Sequence, residues 1–272
     1  MVDIQYLTKR YFCFDLPVPY KTKTGVIEIL PVSLLDSEIF LSCFDILVID
    51  KNIIPDPKVI QMSYLEFILV VLCSKEENVK KLVEIMGLCL GFHSPIVKWT
   101  KDSKPVLYDE ELKIEINHKE FEDIKKIILH QNFVHFDDEY INPELKKAME
   151  EVDELKSKNF ENVDIERKMA IITAHTGLSK NKQQEMTYRS HCVLFNEVCG
   201  EVEYNAIKPI ATYAGKSKDV QWIYKEKKNR LDGYIQSVES YSKSMGGNQT
   251  VRQLNTNNSV GESYAQQFNN FQ

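Results

Sequence analysis

Two things are missing from this chain: a long apolar run and any close pairing of its cysteines. The longest uninterrupted apolar stretch is Phe67–Cys73, well short of the roughly 18 to 20 residues that a membrane-crossing helix requires. The six cysteines are Cys13, Cys43, Cys73, Cys89, Cys192 and Cys199, and none stands in a C-x-x-C pair. Most sit inside apolar stretches such as Phe12-Cys13-Phe14 and Leu88-Cys89-Leu90. The N-terminus MVDIQYLTKRYF carries no basic segment followed by an apolar one, so no export route is read there. Together these absences predict a soluble intracellular protein, located in the cytoplasm, with buried reduced thiols. Excess positive charge is missing too. Asp and Glu outnumber Lys and Arg by 40 to 34, for a formal net charge of −6, which weighs against non-specific binding of phosphate backbones.

Sequence patterns that carry chemistry are equally scarce. Nothing resembles G-x-S-x-G, and no cysteine lies at a glycine-rich turn beside a base. Gly215-Lys-Ser matches the end of a phosphate-binding loop, but Ile210 stands where that motif needs its first glycine. His118, His130 and His135 are close in sequence, yet their spacing fits no zinc pattern and no cysteine joins them. The carboxylate clusters Asp137-Asp138-Glu139 and Glu150-Glu151 lie in polar contexts and read as solvated faces. The sequence therefore predicts no enzyme, no catalytic residues, no metal and no cofactor.

What is present is a core. Hydrophobic residues make up 43% of the chain, near the globular average. Phe12–Leu16 and Val26–Leu30 read as strands of a hairpin around the turn-like Tyr20–Gly25. Leu34, Leu35, Ile39, Phe40, Phe44 and Leu47 recur at helical spacing. Asp56-Pro57 reads as the cap and first residue of a helix to about Cys73, apolar nearly all round in its second half and so buried. A helix from about Lys75 to Leu90 stops at Gly91. Ile96–Trp99 and Leu112–Ile116 alternate as strands, each expected to show one face to a core, with a turn at Asp102–Pro105. After His118 the pattern is helical: an amphipathic segment around Phe121–Leu129, then a charged helix from Pro143 to about Lys158. Helices at 164–176 and after Ser179 follow, then a long one from Tyr188 to about Ala214 and a last from about Val220 to Tyr241.

The fold class predicted is α+β and mainly α. It consists of an N-terminal strand-and-helix domain at 1–117, a helical domain at 118–243 and a disordered Asn/Gln-rich tail at 244–272. The corner formed by 164–176, Thr176-Gly-Leu-Ser179, Lys180–Gln184 and the helix after Met186-Thr187 has the outline of a helix-turn-helix. A tight helical corner is the plainer reading, because the middle helix is short and its flanks are acidic. The basic run Lys225–Arg230 reads as a solvated face. Candidate partner-binding residues are aromatic: Trp222, Tyr224 and Tyr234 near that run, and Tyr264, Phe268 and Phe271 spaced like anchors in the tail.

Three stretches then carry a family resemblance. Pro31-Val with Leu47–Leu65, then Phe121–Ile141, then Met186-Thr-Tyr-Arg, Val202-Glu-Tyr and Val220-Gln-Trp-Ile-Tyr together resemble tail assembly chaperones, or linked tail morphogenesis proteins, of phages infecting low-GC Gram-positive bacteria. The resemblance spans roughly 10–235. It implies a non-enzymatic protein of the host bacterial cytoplasm that escorts the helical tape-measure protein and recruits tail-tube subunits. Two alternatives remain open: a structural tail or baseplate protein of the virion, and a helix-turn-helix DNA-binding regulator. Self-association is also open.

Overall fold

The computed structural model describes residues 2–51, 54, 56–100, 104–133, 151 and 163–215. The chain divides into two compact units, Met1–Ala206 and Ile207–Gln272. The fold is mainly helical with a small N-terminal strand-and-helix unit.

The first helix, α1 (Ile4–Arg10), starts where the Asp3 side chain accepts the Tyr6 N–H at 3.0 Å. A strand was expected at Phe12–Leu16. Instead Phe12–Phe14 is a 3-10 turn ending at Asp15 in the left-handed region, φ 55°. Strand alternation would have put Phe12 and Phe14 on one face; the turn buries Phe12 and leaves Phe14 and Cys13 exposed. The hairpin forms from β1 (Val18–Lys21) and β2 (Val26–Ile29), antiparallel, with Lys21 opposite Val26. Thr22 ties its turn, its Oγ1 accepting the N–H of both Thr24 and Gly25.

The apolar stripe from Leu34 to Leu47 is divided into α2 (Ser37–Cys43) and α3 (Asp45–Val48). Asp56 caps α4 (Pro57–Gln61) as expected, accepting the Lys58 N–H at 2.8 Å with Pro57 in the first turn. That helix does not run on to Cys73. Met62 is extended at ψ 147°, and Ser63 with Glu66 builds a reciprocal capping box that restarts the chain as α5 (Tyr64–Glu66). A π turn at Phe67–Val71 and a 3-10 turn at Leu72–Ser74 follow. Burial is correspondingly partial: Phe67 and Ile68 are inside, while Val70 is exposed. The next helix, α6 (Glu76–Leu90), stops at Gly91, whose φ is 67°. A Cβ there would meet nothing within 4 Å, so Gly91→Ala is expected to cost only backbone strain, about 1 kcal/mol, read from the urea midpoint.

A three-stranded antiparallel meander follows: β3 (Pro95–Trp99), β4 (Pro105–Asp109) and β5 (Ile114–Ile116). The middle strand, β4, falls where only a turn and a connection were expected. It is the buried one, with Val106, Leu107 and Asp109 all inside. Asn117 and Glu120 then form a second reciprocal capping box that starts α7 (His118–Gln131). Phe121, Ile124, Ile127, Ile128 and Leu129 of α7 join Phe12, Ile29, Phe40, Leu65, Ile85 and Ile116 in one apolar core. The core therefore runs past residue 117, where a domain boundary was expected, because α7 is one of its walls.

Asp164 caps α8 (Ile165–Thr176), which ends at Gly177 with φ 72°. Ser179 caps α9 (Lys180–Gln184), and α10 spans Tyr188–Tyr213. The expected helices at 143–158 (apart from the helical Glu151) and 220–241, and the tail at 244–272, lie outside the described residues. All six cysteines are free, but only Cys43 and Cys89 are buried; Cys13 and Cys199 are exposed, correcting the expectation of buried thiols. Burial pushes the Cys89 thiol up to about 12, so it stays protonated at neutral pH.

Candidate functional site

The six aromatic residues expected to bind a partner, Trp222, Tyr224, Tyr234, Tyr264, Phe268 and Phe271, lie outside the described residues. His118 opens α7 and His130 lies near its other end, so the structure does not bring them together. Among the described residues no three His, Cys, Asp or Glu are grouped to hold a metal ion. Gly215 follows a helix, with φ 70°, whereas a phosphate-binding loop follows a strand.

The helical corner expected at 164–190 is present, and its geometry has an internal explanation. Gln183 of α9 is fully buried and its amide reaches Met169 O at 3.2 Å, Thr173 Oγ1 at 2.9 Å and Leu178 O at 3.1 Å. One side chain thus holds both sides of the turn. The outer face of α9 offers Lys180, Asn181 and Lys182 over only five residues.

Beyond the corner, the start of α10 is fixed to the N-terminal elements by main chain and side chain alike. Leu34 N–H donates to Met186 O and Tyr188 N–H to Val32 O, each at 2.9 Å. The Asp15 carboxylate accepts the Thr187 hydroxyl at 2.6 Å and the Ser190 hydroxyl at 2.7 and 2.8 Å. Arg189 donates to His130 O at 2.7 Å, and its guanidinium lies 5.6 Å from the Phe12 ring centre and 5.1 Å from that of Phe133. His191 is buried one turn on. Burial, and then Lys168, hold its pKa below the ordinary histidine value, so it is neutral at pH 7. The helix that leaves this anchorage keeps apolar side chains in solvent: Val193 and Val202 in the first unit, and Ile207, Ile210 and Tyr213 among the described residues of the second.

The outer strand of the meander is a second exposed apolar feature. An alternating strand with one face on the core was expected at Ile96–Trp99, but both faces of β3 are open. Ile96 is 37% exposed, Val97 42% and Trp99 61%. Among the described residues β3 pairs with β4 alone, so alternation alone could not place its buried face.

An open cleft of about 500 Å³ lies where the β1–β2 hairpin, β4 and the start of α7 meet, lined by Tyr20, Lys23, Lys104, His118, Lys119 and Asp123 among others. Two of its carboxylates already have partners. Glu120 accepts the N–H of Lys23 at 2.8 Å and of Asn117 at 2.9 Å, and Asp123 accepts the Tyr20 hydroxyl at 3.1 Å.

No family model, no curated protein and no solved structure matches this chain. No helix among the described residues is long and apolar enough to cross a membrane.

Proposed function

We propose that this protein is a non-enzymatic phage tail assembly chaperone that binds the tape-measure protein, and through it meets tail-tube subunits, in the host bacterial cytoplasm. The observation that carries the reading is the contrast along α10. Its first turn is held by Asp15, Val32 and His130, while Val193 and Val202 beyond it remain in water. A rooted helix with uncovered apolar positions offers surface that an amphipathic helix of a partner can bury. The three sequence stretches that resemble tail chaperones support the same reading.

Co-expression with the tape-measure protein of the same phage is the test. The pair is expected to co-purify, and the soluble fraction of the tape measure to rise. Val193→Asp with Val202→Asp is expected to abolish both, with an unchanged circular dichroism spectrum. A tape measure that stays equally insoluble with and without this chain would dismiss the reading. A structural tail or baseplate role is separated by mass spectrometry of purified particles, from which a chaperone is absent. A DNA-binding role at α9 predicts salt-dependent binding of duplex DNA that is lost on Lys180→Glu with Lys182→Glu.

A further inference from the structure

The helical corner lies against α10 around one buried ionisable side chain. His191, Phe195 and Val198 follow at spacings of four and three, so they share one side of α10. That side faces α8. The Lys168 ammonium lies 5.7 Å from the Phe195 ring centre, and Ile172, one turn further along α8, is fully buried. His191 is 1% exposed, and its Nε2 is buried without a hydrogen-bond partner among the described residues. Gln183 Oε1 of α9 is also buried without a partner, so the two atoms do not bond each other.

A neutral imidazole tolerates this position and an imidazolium does not. A buried charge with neither counter-ion nor acceptor costs far more than a neutral polar atom. The charge that does act on the ring, Lys168 of α8, has the wrong sign. The other charged groups around it are turned elsewhere. Glu166, Arg167 and His175 of α8 are exposed, as are Lys180, Lys182 and Glu185 of α9 and its end. On α10, Arg189 is taken by His130 O, and Tyr188 and Cys192 interact with each other. The Asp15 carboxylate is taken by Thr187 and Ser190.

The weakest joint nearby is the one between α8 and α10. The start of α10 is bonded to Asp15, Val32, Leu34 and His130, and α9 is bonded to α8 through Gln183. Among the described residues no hydrogen bond joins α8 to α10. We propose that His191 is a proton-operated latch, which on protonation releases the α8–α9 corner from α10 and uncovers Phe195 and Val198 while the root of α10 stays bound. Because burial and Lys168 depress the pKa in the closed form, the open form takes up the proton first. The latch is therefore fully closed above the ordinary histidine value, about 6.5, and loosens as pH falls through it toward the depressed one. That window lies above the range of ordinary carboxylates, about 4.

Hydrogen exchange of the full chain at pH 7.5 and 5.0, with labelling times scaled for the intrinsic pH dependence, tests the proposal. Amides of 165–184 are expected to lose protection at least fivefold at pH 5.0, while those of the β1–β2 hairpin and α7 hardly change. His191→Gln, a neutral amide, is expected to show equal protection at both pH values. Lys168→Gln keeps the imidazole and removes the repelling charge, so it should shrink the response by at least half. It decides the matter should His191→Gln misfold. Protection over 165–184 that is the same at both pH values overturns the proposal. So does a loss spread equally over the hairpin and α7, or a response that both variants retain in full. Tape-measure binding is a separate question, read by co-purification.

Discussion

Asp109→Ala is expected to destabilise the fold by about 3 kcal/mol or more, since a buried charged acceptor with several backbone donors is lost. Asp109 is fully buried at the end of β4. One carboxylate oxygen accepts the N–H groups of Glu111 and Leu112, at 3.0 and 2.9 Å. The other accepts those of His93 and Ser94, at 3.1 and 3.2 Å. One side chain thus closes the β4–β5 turn and fixes the chain as it enters β3. Truncation leaves four donors facing a void. Asparagine is no substitute: an amide presents one acceptor oxygen, and its NH2 would point at two N–H donors on the other side. Asp109→Asn is therefore expected to lose nearly as much, read from urea unfolding at neutral pH.

The same residue sets an acid limit. Burial alone would raise its pKa, but the hydrogen bonds from Leu112, Ser94, His93 and Glu111 outweigh it and hold the carboxyl below the ordinary aspartate value. A depressed folded pKa means that the unfolded chain takes up the proton first. The contribution is thus complete above the unfolded value, about 3.9. It fades as pH falls toward and through the folded one. The wild-type chain should lose stability steeply on acidification below about pH 4, whereas Asp109→Asn should lose less over the same range.

Asp15→Ala is the second large effect, expected to cost about 2 kcal/mol through loss of charge-assisted hydrogen bonds and added backbone strain. Its carboxylate accepts the hydroxyl of Thr187, just before α10, and that of Ser190 in the first turn, and its own φ of 55° suits aspartate or asparagine far better than alanine. Asp15→Asn keeps one acceptor and tolerates the backbone, so it should retain more than half of the stability. Hydrogen exchange gives the sharper reading. Amides of 188–191 should exchange faster in Asp15→Ala, while those of α6 and α7 should hardly change.

Local signals were legible and tertiary ones were not. Asp56-Pro57, Gly91, Asp164 and Gly177 carry their roles in their own chemistry, so the ends they mark could be read directly. Ser63–Glu66 is masked in the sequence because it restarts a helix inside an apolar run, where periodicity continues across the break. Phe12–Phe14 has strand-forming residues, but packing of Phe12 alone favours a turn. The second strand of the meander was hidden by Pro105 at its start and by its burial on both faces, which removes alternation. For the candidate site, the open faces of β3 and the grip of Asp15 on α10 depend on what does or does not pack nearby, and no pattern within either segment encodes that.

The grip of Asp15 also sets an order of events in time. Its partners Thr187 and Ser190 lie 172 and 175 residues further along the chain. At a synthesis rate of roughly 5 to 20 residues per second, Asp15 waits on the order of ten to thirty seconds before either hydroxyl exists. The elements built from nearer neighbours, the β1–β2 hairpin and the α6 and α7 wall, can assemble during that interval. The root of α10 closes last, so a nascent chain stalled before residue 187 would hold its core but lack the anchored helix through which it is proposed to work.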